Sequence, residues 1–360
     1  MLRSRRNIYD RLSEKRIAEL EKQSIAESQS PTGSYSSSAI NIINAWVWLP
    51  AGVFDTPILA EDLAQRRADF DHDPRLTDMR NLRRPLQRLE TPAVRSPAVG
   101  AAGRAEEILK TMFVQWHDTF CSKIDWTNTQ VVLFTPTAVG VLDWMATACR
   151  LWPREQLPYY GFDVETRSVD QWLPEALVQS DGAPYLLCLS LDSWACQEQM
   201  KVGPPDEMVG EAVSAVLLQR VSSALASEST NLLKLFPPVT QQHIIRRFQA
   251  RTDTRVLTGL MTSLTDRTGF EPTKVKILVG DGEFGEQRLQ QLNHYVQVSL
   301  PALDLEQQIR LNTLSARVGT ATEQWVQIGL GWLAASAEPG SAAWILDRRS
   351  PEQTQGWMIG

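Results

Sequence analysis

The sequence predicts an α/β protein, and three observations lead to that prediction. Segments rich in valine, isoleucine and leucine alternate with segments whose apolar residues recur every three or four positions. Several of the apolar segments are continuous runs, as expected for strands that are buried on both faces. The chain has 360 residues, 43% of them hydrophobic, so it can bury a large core. We therefore expect a largely parallel sheet with helices on both faces.

The N-terminal region differs in composition from the rest of the chain. Residues 1–27 combine many charges with apolar residues at helix-like spacing, which predicts an amphipathic helix. Those apolar residues are Ile8, Leu12, Ile17, Leu20 and Ile25. Residues 28–38 are rich in serine and have the composition of a flexible linker. We therefore expect a tethered helix that lies outside the core.

The remaining elements follow in two successive units. A strand is predicted at 39–52, and the charged, proline-punctuated stretch 61–105 predicts a short helix and surface loops. The first unit then has a helix at 105–120, a strand at 129–136, helices at 138–152 and 169–180, and strands at 183–193 and 211–220. The second has a helix at 254–267, a strand at 273–282, helices at 284–295 and 319–336, and strands at 341–349 and 356–360. The similar order indicates internal duplication, with halves at 39–225 and 226–360.

Charge and cysteine content exclude several classes of protein. A net charge of −6 disfavours a nucleic-acid or anionic-membrane binder, because both need basic surface. The start of the chain has no apolar signal core, and no run of about 18 apolar residues occurs, so we expect a cytoplasmic protein. The four cysteines show no paired spacing typical of zinc sites, which favours buried free thiols.

One glycine-rich motif points to a dinucleotide. Residues Gly280–Gly285 satisfy GxGxxG after a predicted strand, and Asp304 lies near the spacing of a ribose-binding acid. Asp281 and Glu283 would face a pyrophosphate, however, and only about 75 residues follow the motif. The better interpretation is a tight strand-to-helix turn, with a nicotinamide-dependent oxidoreductase as the less favoured alternative.

Other catalytic and metal motifs are missing from the sequence. There is no GxSxG, Walker loop or HExxH. His72, His117, His243 and His294 lack metal-type spacing, and we expect solvated or helix-capping roles, with His243 in a helical stretch. Cys149 in a predicted helix and Cys188 in a predicted strand are expected to be core residues. The sequence therefore predicts no catalytic, cofactor-binding or metal-binding residue.

Four short stretches, in order, resemble the thiolase and β-ketoacyl synthase family. Leu191-Asp192-Ser193 is similar to its Val-Asp-Ser, and residues 209–213 to its Pro-Gly-Glu-Gly-Ala. Residues 281–288 resemble its Asp-x-x-Gly-Glu-x-x-Arg, and residues 317–322 its Gly-His-Thr-x-Gly-Ala before a long core helix. The resemblance spans residues 40–360 and implies a duplicated βαβαβαββ architecture of layered sheets and helices. It also implies pairing of two copies through edge strands, although the sequence does not identify the edge.

The family's catalytic residues are not matched. The family implies a nucleophilic cysteine at a helix N-terminus, but residues 157–172, where it should fall, contain none. The position of the Gly-His-Thr histidine is occupied by Gly319. We therefore expect a non-enzymatic accessory or adaptor protein of a bacterial secretion or biosynthetic system. It would act through protein contacts, including the N-terminal helix. The alternative is an acyl-binding or acyl-transfer enzyme with non-standard catalytic residues.

Overall fold

The computed structural model describes residues 39–91, 97–179, 182–202, 207–220, 232–243, 253–280, 286–350 and 352–360. The predicted N-terminal helix (1–27) and linker (28–38) lie outside these ranges. Twelve strands and nine α-helices occur in the described residues. The strands are β1 Ile40–Leu49, β2 Gly52–Phe54, β3 Thr129–Phe134, β4 Phe162–Glu165, β5 Tyr185–Ser193, β6 Glu211–Gln219, β7 Lys234–Leu235, β8 Val239–Gln242, β9 Val275–Gly280, β10 Ile309–Arg310, β11 Ala342–Asp347 and β12 Gln353–Ile359. The helices are α1 Ala60–Gln65, α2 Ala101–Lys123, α3 Val141–Leu151, α4 Val169–Val178, α5 Gln197–Val202, α6 Arg255–Thr268, α7 Glu286–Ser299, α8 Leu311–Leu314 and α9 Thr320–Ala337.

The strands form one hydrogen-bonded sheet with two wings. The first wing has the order β1-β6-β5-β3-β4, and the second has the order β10-β9-β11-β12-β7. The short strand β7 joins the wings, because it pairs antiparallel with both β1 and β12. The strands of the first wing lie within residues 40–219, and those of the second wing lie within residues 234–359.

The direction of the strands differs from the prediction of a largely parallel sheet. Strands β3, β4 and β5 are parallel to one another, as are β9, β10 and β11. Strand β6, however, runs antiparallel to both β1 and β5. Its continuous apolar sequence indicates burial on both faces. An antiparallel strand is also buried on both faces when helices cover both sides of the sheet, so the pattern does not determine strand direction. The sheet is therefore mixed.

Alternate residues of each strand belong to different layers of the core. In β6, Val216 and Leu218 face a central cluster, whereas Ala215 and Leu217 face an outer cluster under α2 and α3. In the second wing, the central cluster includes Ile345 of β11, and a separate outer cluster lies under α6 and α7. This alternation follows from the two-residue period of a strand.

Helix α9 lies in the centre of the fold. Its residues from Thr322 to Ala335 are all buried, so the helix is covered on every side. Trp325 and Trp332, which the sequence places on one face, are both in the central cluster. Gly329 allows close packing on β1, because a Cβ there would lie 2.6 Å from Val47 Cγ2. The layers thus run α2/α3, first wing, α4/α9, second wing, α6/α7, as the predicted layered α/β architecture requires.

Candidate functional site

The first part of the candidate site is the N-terminus of α4, in the stretch where the family would place its nucleophile. Strand β4 ends at Glu165, and α4 begins at Val169 after a short turn. Ser168 is the N-cap residue, with extended backbone angles and no side-chain capping hydrogen bond. The residue at the start of this helix is therefore a serine, whose hydroxyl is far less acidic than a cysteine thiol.

The second part is the N-terminus of α9. The N–H of the N-cap residue Gly319 donates to Asp192 Oδ2 at 2.8 Å. The same carboxylate accepts hydrogen bonds from the backbone N–H and the hydroxyl of Thr137, at 3.2 and 2.5 Å. Burial raises the pKa of Asp192, although these hydrogen bonds act in the opposite direction. Asp192 thus anchors α9 to the C-terminal end of β5, and the two motif residues meet across 127 positions of sequence.

A cavity of about 330 Å³ opens between these two helix starts. Its lining is mostly polar. The lining residues are Ser168, Asp170, Gln171, Trp194, Arg317, Val318, Thr320, Gln324, Asp347, Arg349, Ser350, Gln353 and Gln355. No cysteine, histidine or lysine occurs among these described residues. The two carboxylates of the lining already accept hydrogen bonds, Asp170 from Gln324 and Gln355 and Asp347 from Arg349.

A buried glutamine accepts a hydrogen bond from the backbone N–H at the start of α4. Gln324 of α9 accepts the N–H of Val169 at 2.8 Å and donates to Asp170 Oδ1 at 3.1 Å. Gln355 of β12 donates to Asp170 Oδ2 at 3.0 Å. A free N–H at this position could stabilise an oxyanion. Here it already has a partner, and the network ties the two halves of the chain together.

The arginines of the cavity are paired with carboxylates. Arg349 donates to Glu323 Oε2 at 2.6 Å and also bonds to Asp347. Burial opposes ionisation of Asp347, but the Arg349 contacts hold the pKa of its carboxyl below the ordinary value. Arg317 bonds to Glu207 and lies 4.9 Å from the centre of the Trp194 ring. These pairs neutralise the positive charge that an anionic ligand would need.

The cysteines that the sequence singles out do not line the cavity. Cys188 is buried in the central core, where burial raises the pKa of its thiol well above the ordinary value. Cys149 lies on α3 as predicted, but it is exposed, so the expectation that it belongs to the core is wrong. Cys121 is exposed as well, and burial raises the pKa of the buried Cys196 to about 12. Only two of the four thiols are therefore buried.

The histidines also lie away from the cavity. His243 follows strand β8 directly. The predicted helical stretch begins at residue 241, and it is wrong for residues 241–243, because pairing of β8 with β12 overrides local helix propensity. Its Nε2 lies 2.7 Å from Thr354 Oγ1. Burial, together with Arg288 and Arg348, lowers the pKa of His243 to about 4. This residue is therefore partly buried and neutral at ordinary pH, which corrects the expected solvated or capping role.

The glycine-rich motif falls mostly outside the described residues. Gly280 ends β9, and residues 281–285 lie outside the described ranges. Arg288, which ends the resembling stretch, donates to the backbone carbonyl of Ser350 at 3.0 Å. Asp304 accepts the N–H of Glu306 at 2.9 Å and thereby caps a short 3₁₀ turn. Arg288 thus bonds to the segment that follows β11, and Asp304 has a local capping role.

Sequence reasoning missed the polar residues that build the cavity. Ser168 had a usable signal, because a serine directly before a helical pattern is typical of an N-cap. Gln324 and Gln355 are isolated polar residues within apolar segments, and their contacts join residues more than 150 positions apart. No local pattern predicts such contacts. Within the described residues, no group of three or more histidine, cysteine, aspartate or glutamate side chains is arranged to hold a metal ion.

Comparison with known proteins identifies the fold. No protein-family model matches the sequence, and no curated protein matches it. A ketosynthase from module 6 of the bacillaene synthase of Bacillus subtilis 168 is similar in structure, with a TM-score of 0.56 and 10% identity over 89% of this chain and 71% of that chain. The oxazolomycin ketosynthase domain of Streptomyces albus JA3453 gives 0.53 and 10% over 89% and 74%. Cerulenin-bound OleA of Xanthomonas campestris gives 0.50 and 11% over 91% and 99%.

No described helix is both long enough and apolar enough to span a membrane. The layered wings and the central helix α9 agree with the architecture that the sequence resemblance implies. The chain has the thiolase-like α/β fold of the ketosynthases.

Proposed function

We propose that this protein is a non-catalytic relative of the ketosynthases that works through protein contacts, as an adaptor or accessory subunit. The observation that carries the proposal is the chemistry of the cavity at the starts of α4 and α9. Ser168 is the N-cap of the helix in the stretch 157–172, where the resemblance places the family's nucleophile, and the described lining has no histidine. The N–H of Val169 is already bonded to Gln324. A nucleophile, a base and an open oxyanion donor are the parts that acyl transfer uses.

The proposal is tested by covalent acylation. The full chain is incubated with acetyl and long-chain acyl thioesters of coenzyme A, and its intact mass is measured under denaturing conditions. We expect no stable acyl adduct, because a serine hydroxyl is a poor nucleophile until a base activates it, and the carboxylates of the cavity already accept hydrogen bonds from Gln324, Gln355 and Arg349. Ser168→Cys tests the remaining geometry, since a thiol at a helix N-terminus gains thiolate character and should acylate slowly. Ser168→Ala is the matched control.

An adduct on the unmodified chain that disappears in Ser168→Ala would support the alternative of an acyl-transfer enzyme. The same incubation with nicotinamide cofactors, read as a thermal shift, tests the oxidoreductase alternative at residues 280–285. A clear stabilisation by cofactor would contradict the non-catalytic proposal.

Partner contact through the N-terminal residues is part of the proposal. Residues 1–27 carry Arg3, Arg5, Arg6 and Arg11 in a chain of net charge −6, so an acidic surface on another protein is the expected partner. Deletion of residues 1–30 should remove at least one partner from a pull-down in the organism that encodes the protein. The melting temperature should stay nearly unchanged. A truncated chain that keeps every partner would contradict this role.

A further inference from the structure

The irregular segment between α1 and α2 contains a long closed loop. Residues 66–91 have no helix or strand, but the backbone groups of Asp71 and Leu86 pair with each other at 2.9 and 3.0 Å. Leu86 is also bridged to Val209, and Val209 to Arg317 at the wall of the cavity. Residues 71–86 therefore form a loop with joined ends, a kind of loop that often carries function. We call this segment the 71–86 loop.

The loop is held by contacts with the rest of the fold. Leu76 and Leu86 are buried in a small cluster with Ala195, Met200 and Val209. At the base, Asp73 accepts hydrogen bonds from Arg75 at 2.6 Å and Arg88 at 2.7 Å. Arg84 is buried and donates to the carbonyl of Glu207. The buried residues Leu76, Leu86 and Arg84 and the buried carboxylate of Asp73 therefore anchor the loop at several points, which favours a fixed geometry for its tip.

The tip of the loop is a tight turn that exposes two large apolar side chains. Asp78 Oδ1 accepts the N–H groups of Arg80 and Leu82 at 2.8 and 2.9 Å, and Asn81 adopts a left-handed conformation with φ of 59°. This turn leaves Met79 79% exposed and Leu82 57% exposed. The backbone hydrogen bonds to Asp78 thus hold a turn that presents both apolar side chains to solvent.

Two arginines flank the apolar tip. Arg80 and Arg83 are exposed, and neither has a carboxylate within ion-pair distance in the part of the chain that the structure describes. The chain as a whole carries a net charge of −6. The tip therefore carries local positive charge on a protein whose net charge is negative. A complementary surface on a partner would have an apolar pocket surrounded by acidic residues.

The size of the tip favours a protein as the occupant. Two arginines contribute only about 1 kcal/mol each to binding an anionic membrane, and a membrane-bound surface usually needs four or more basic residues. A second copy of this chain is also disfavoured, because symmetric tip-to-tip contact would bring like charges together. An asymmetric contact between copies would need a second surface on this chain that is complementary to the tip, and it would close into a ring or continue as an open filament.

We infer that the turn Asp78–Leu82 is a docking element for a different protein, whose surface offers an apolar pocket for Met79 and Leu82 and acidic residues for Arg80 and Arg83. The inference deepens the proposed function, because it rests on a role in protein contact and names the surface that makes one contact.

The test is site-specific photo-crosslinking with the full chain in the organism that encodes it. Benzoylphenylalanine replaces Leu82, and in a matched control it replaces Leu142, which is 84% exposed on α3. We expect position 82, and not position 142, to form an adduct with one other protein. Arg80→Glu combined with Arg83→Glu should reduce the adduct about tenfold or more, whereas Arg154→Glu at another exposed site should not. The exposed substitutions should leave the melting temperature unchanged.

Four results would overturn the inference. They are no adduct at position 82, the same adduct at both positions, an adduct only with lipid or a second copy, and an adduct that charge reversal leaves intact. The readout is independent of acylation. A chain that acylates at Ser168 would refute the non-catalytic role whatever the crosslinks show, and a missing crosslink would refute only this docking surface.

Discussion

Gly319 illustrates how little space one residue of the fold can have. A Cβ at this position would overlap Asp192 Oδ2 and Thr137 Oγ1, and Asp192 is buried. Neither neighbour can move without breaking its own hydrogen bonds. We expect Gly319→Ala to lower the free energy of unfolding by about 1–3 kcal/mol, measured by urea denaturation.

Gly259 provides the matched control for that substitution. It lies within α6, and a Cβ there would lie 3.5 Å from the Gln241 side chain, an ordinary contact. Gly259→Ala should therefore raise the free energy of unfolding by about 0.5–1 kcal/mol, because alanine favours the helix. Equal effects of the two substitutions would contradict the packing argument at Gly319.

The partly buried His243 predicts a specific pH dependence. Its pKa is about 4 in the folded protein, against 6.5 for an ordinary histidine. At a pH between these values, the unfolded chain binds a proton at this histidine and the folded protein does not. The stabilising contribution of neutral His243 is therefore fully present above about pH 6.5 and is lost as the pH falls toward 4. The unfolding free energy of the unmodified protein should fall more between about pH 7.5 and about pH 5 than that of His243→Gln. Parallel pH profiles would show that His243 does not contribute.

For single residues, the sequence indicated which motif or element a residue belongs to, but it did not indicate the contacts or the burial of its side chain. Asp192 and Gly319 both stand in stretches that resemble family motifs, but their contact spans the two halves and no local signal indicates it. Cys149 fits a helical pattern, and the structure shows that it occupies the exposed side of α3. A periodic pattern assigns an element more reliably than it assigns the burial of one small side chain.

Among the elements, α4 and α9 are joined by the buried side chain of Gln324. Replacement by alanine leaves the N–H of Val169 without its partner and removes one donor from Asp170. We expect Gln324→Ala to lower the free energy of unfolding by about 1–3 kcal/mol, the usual cost of an unsatisfied buried polar group. Gln171→Ala, at an exposed position of α4, is the control and should have little effect. A negligible effect of Gln324→Ala would mean that water replaces the side chain.

The sequence located the long elements and missed the short ones. Helix α9 and strands β5 and β6 have long apolar patterns, and the structure confirms them. The edge strand β4 and the joining strand β7 were missed, since four and two residues are too few to show a period. The sequence also did not predict which strands pair parallel and which pair antiparallel, because strand direction depends on connections across the whole sheet.

For the whole molecule, the decisive feature is the core that both halves share. The central cluster contains Val216 and Leu218 of the first wing, Ile345 of the second wing, and Trp325 of α9 between them. Successive units of similar order made a layered α/β architecture predictable. No local pattern indicates that the central helix of the second half packs against the sheet of the first half, because that contact joins residues far apart in the chain.

We therefore predict that neither half folds alone. A chain of residues 39–225 would expose the inner face of the first wing, and a chain of residues 226–360 would expose α9, including Trp325 and Ile328. Each large apolar side chain left in water forgoes about 1.5–3 kcal/mol. Neither half should show a cooperative thermal transition, whereas the two halves expressed together should recover one close to that of residues 39–360. Cooperative unfolding of residues 39–225 alone would show that the first wing is an independent domain, and that α9 adds a contact that the wing does not need.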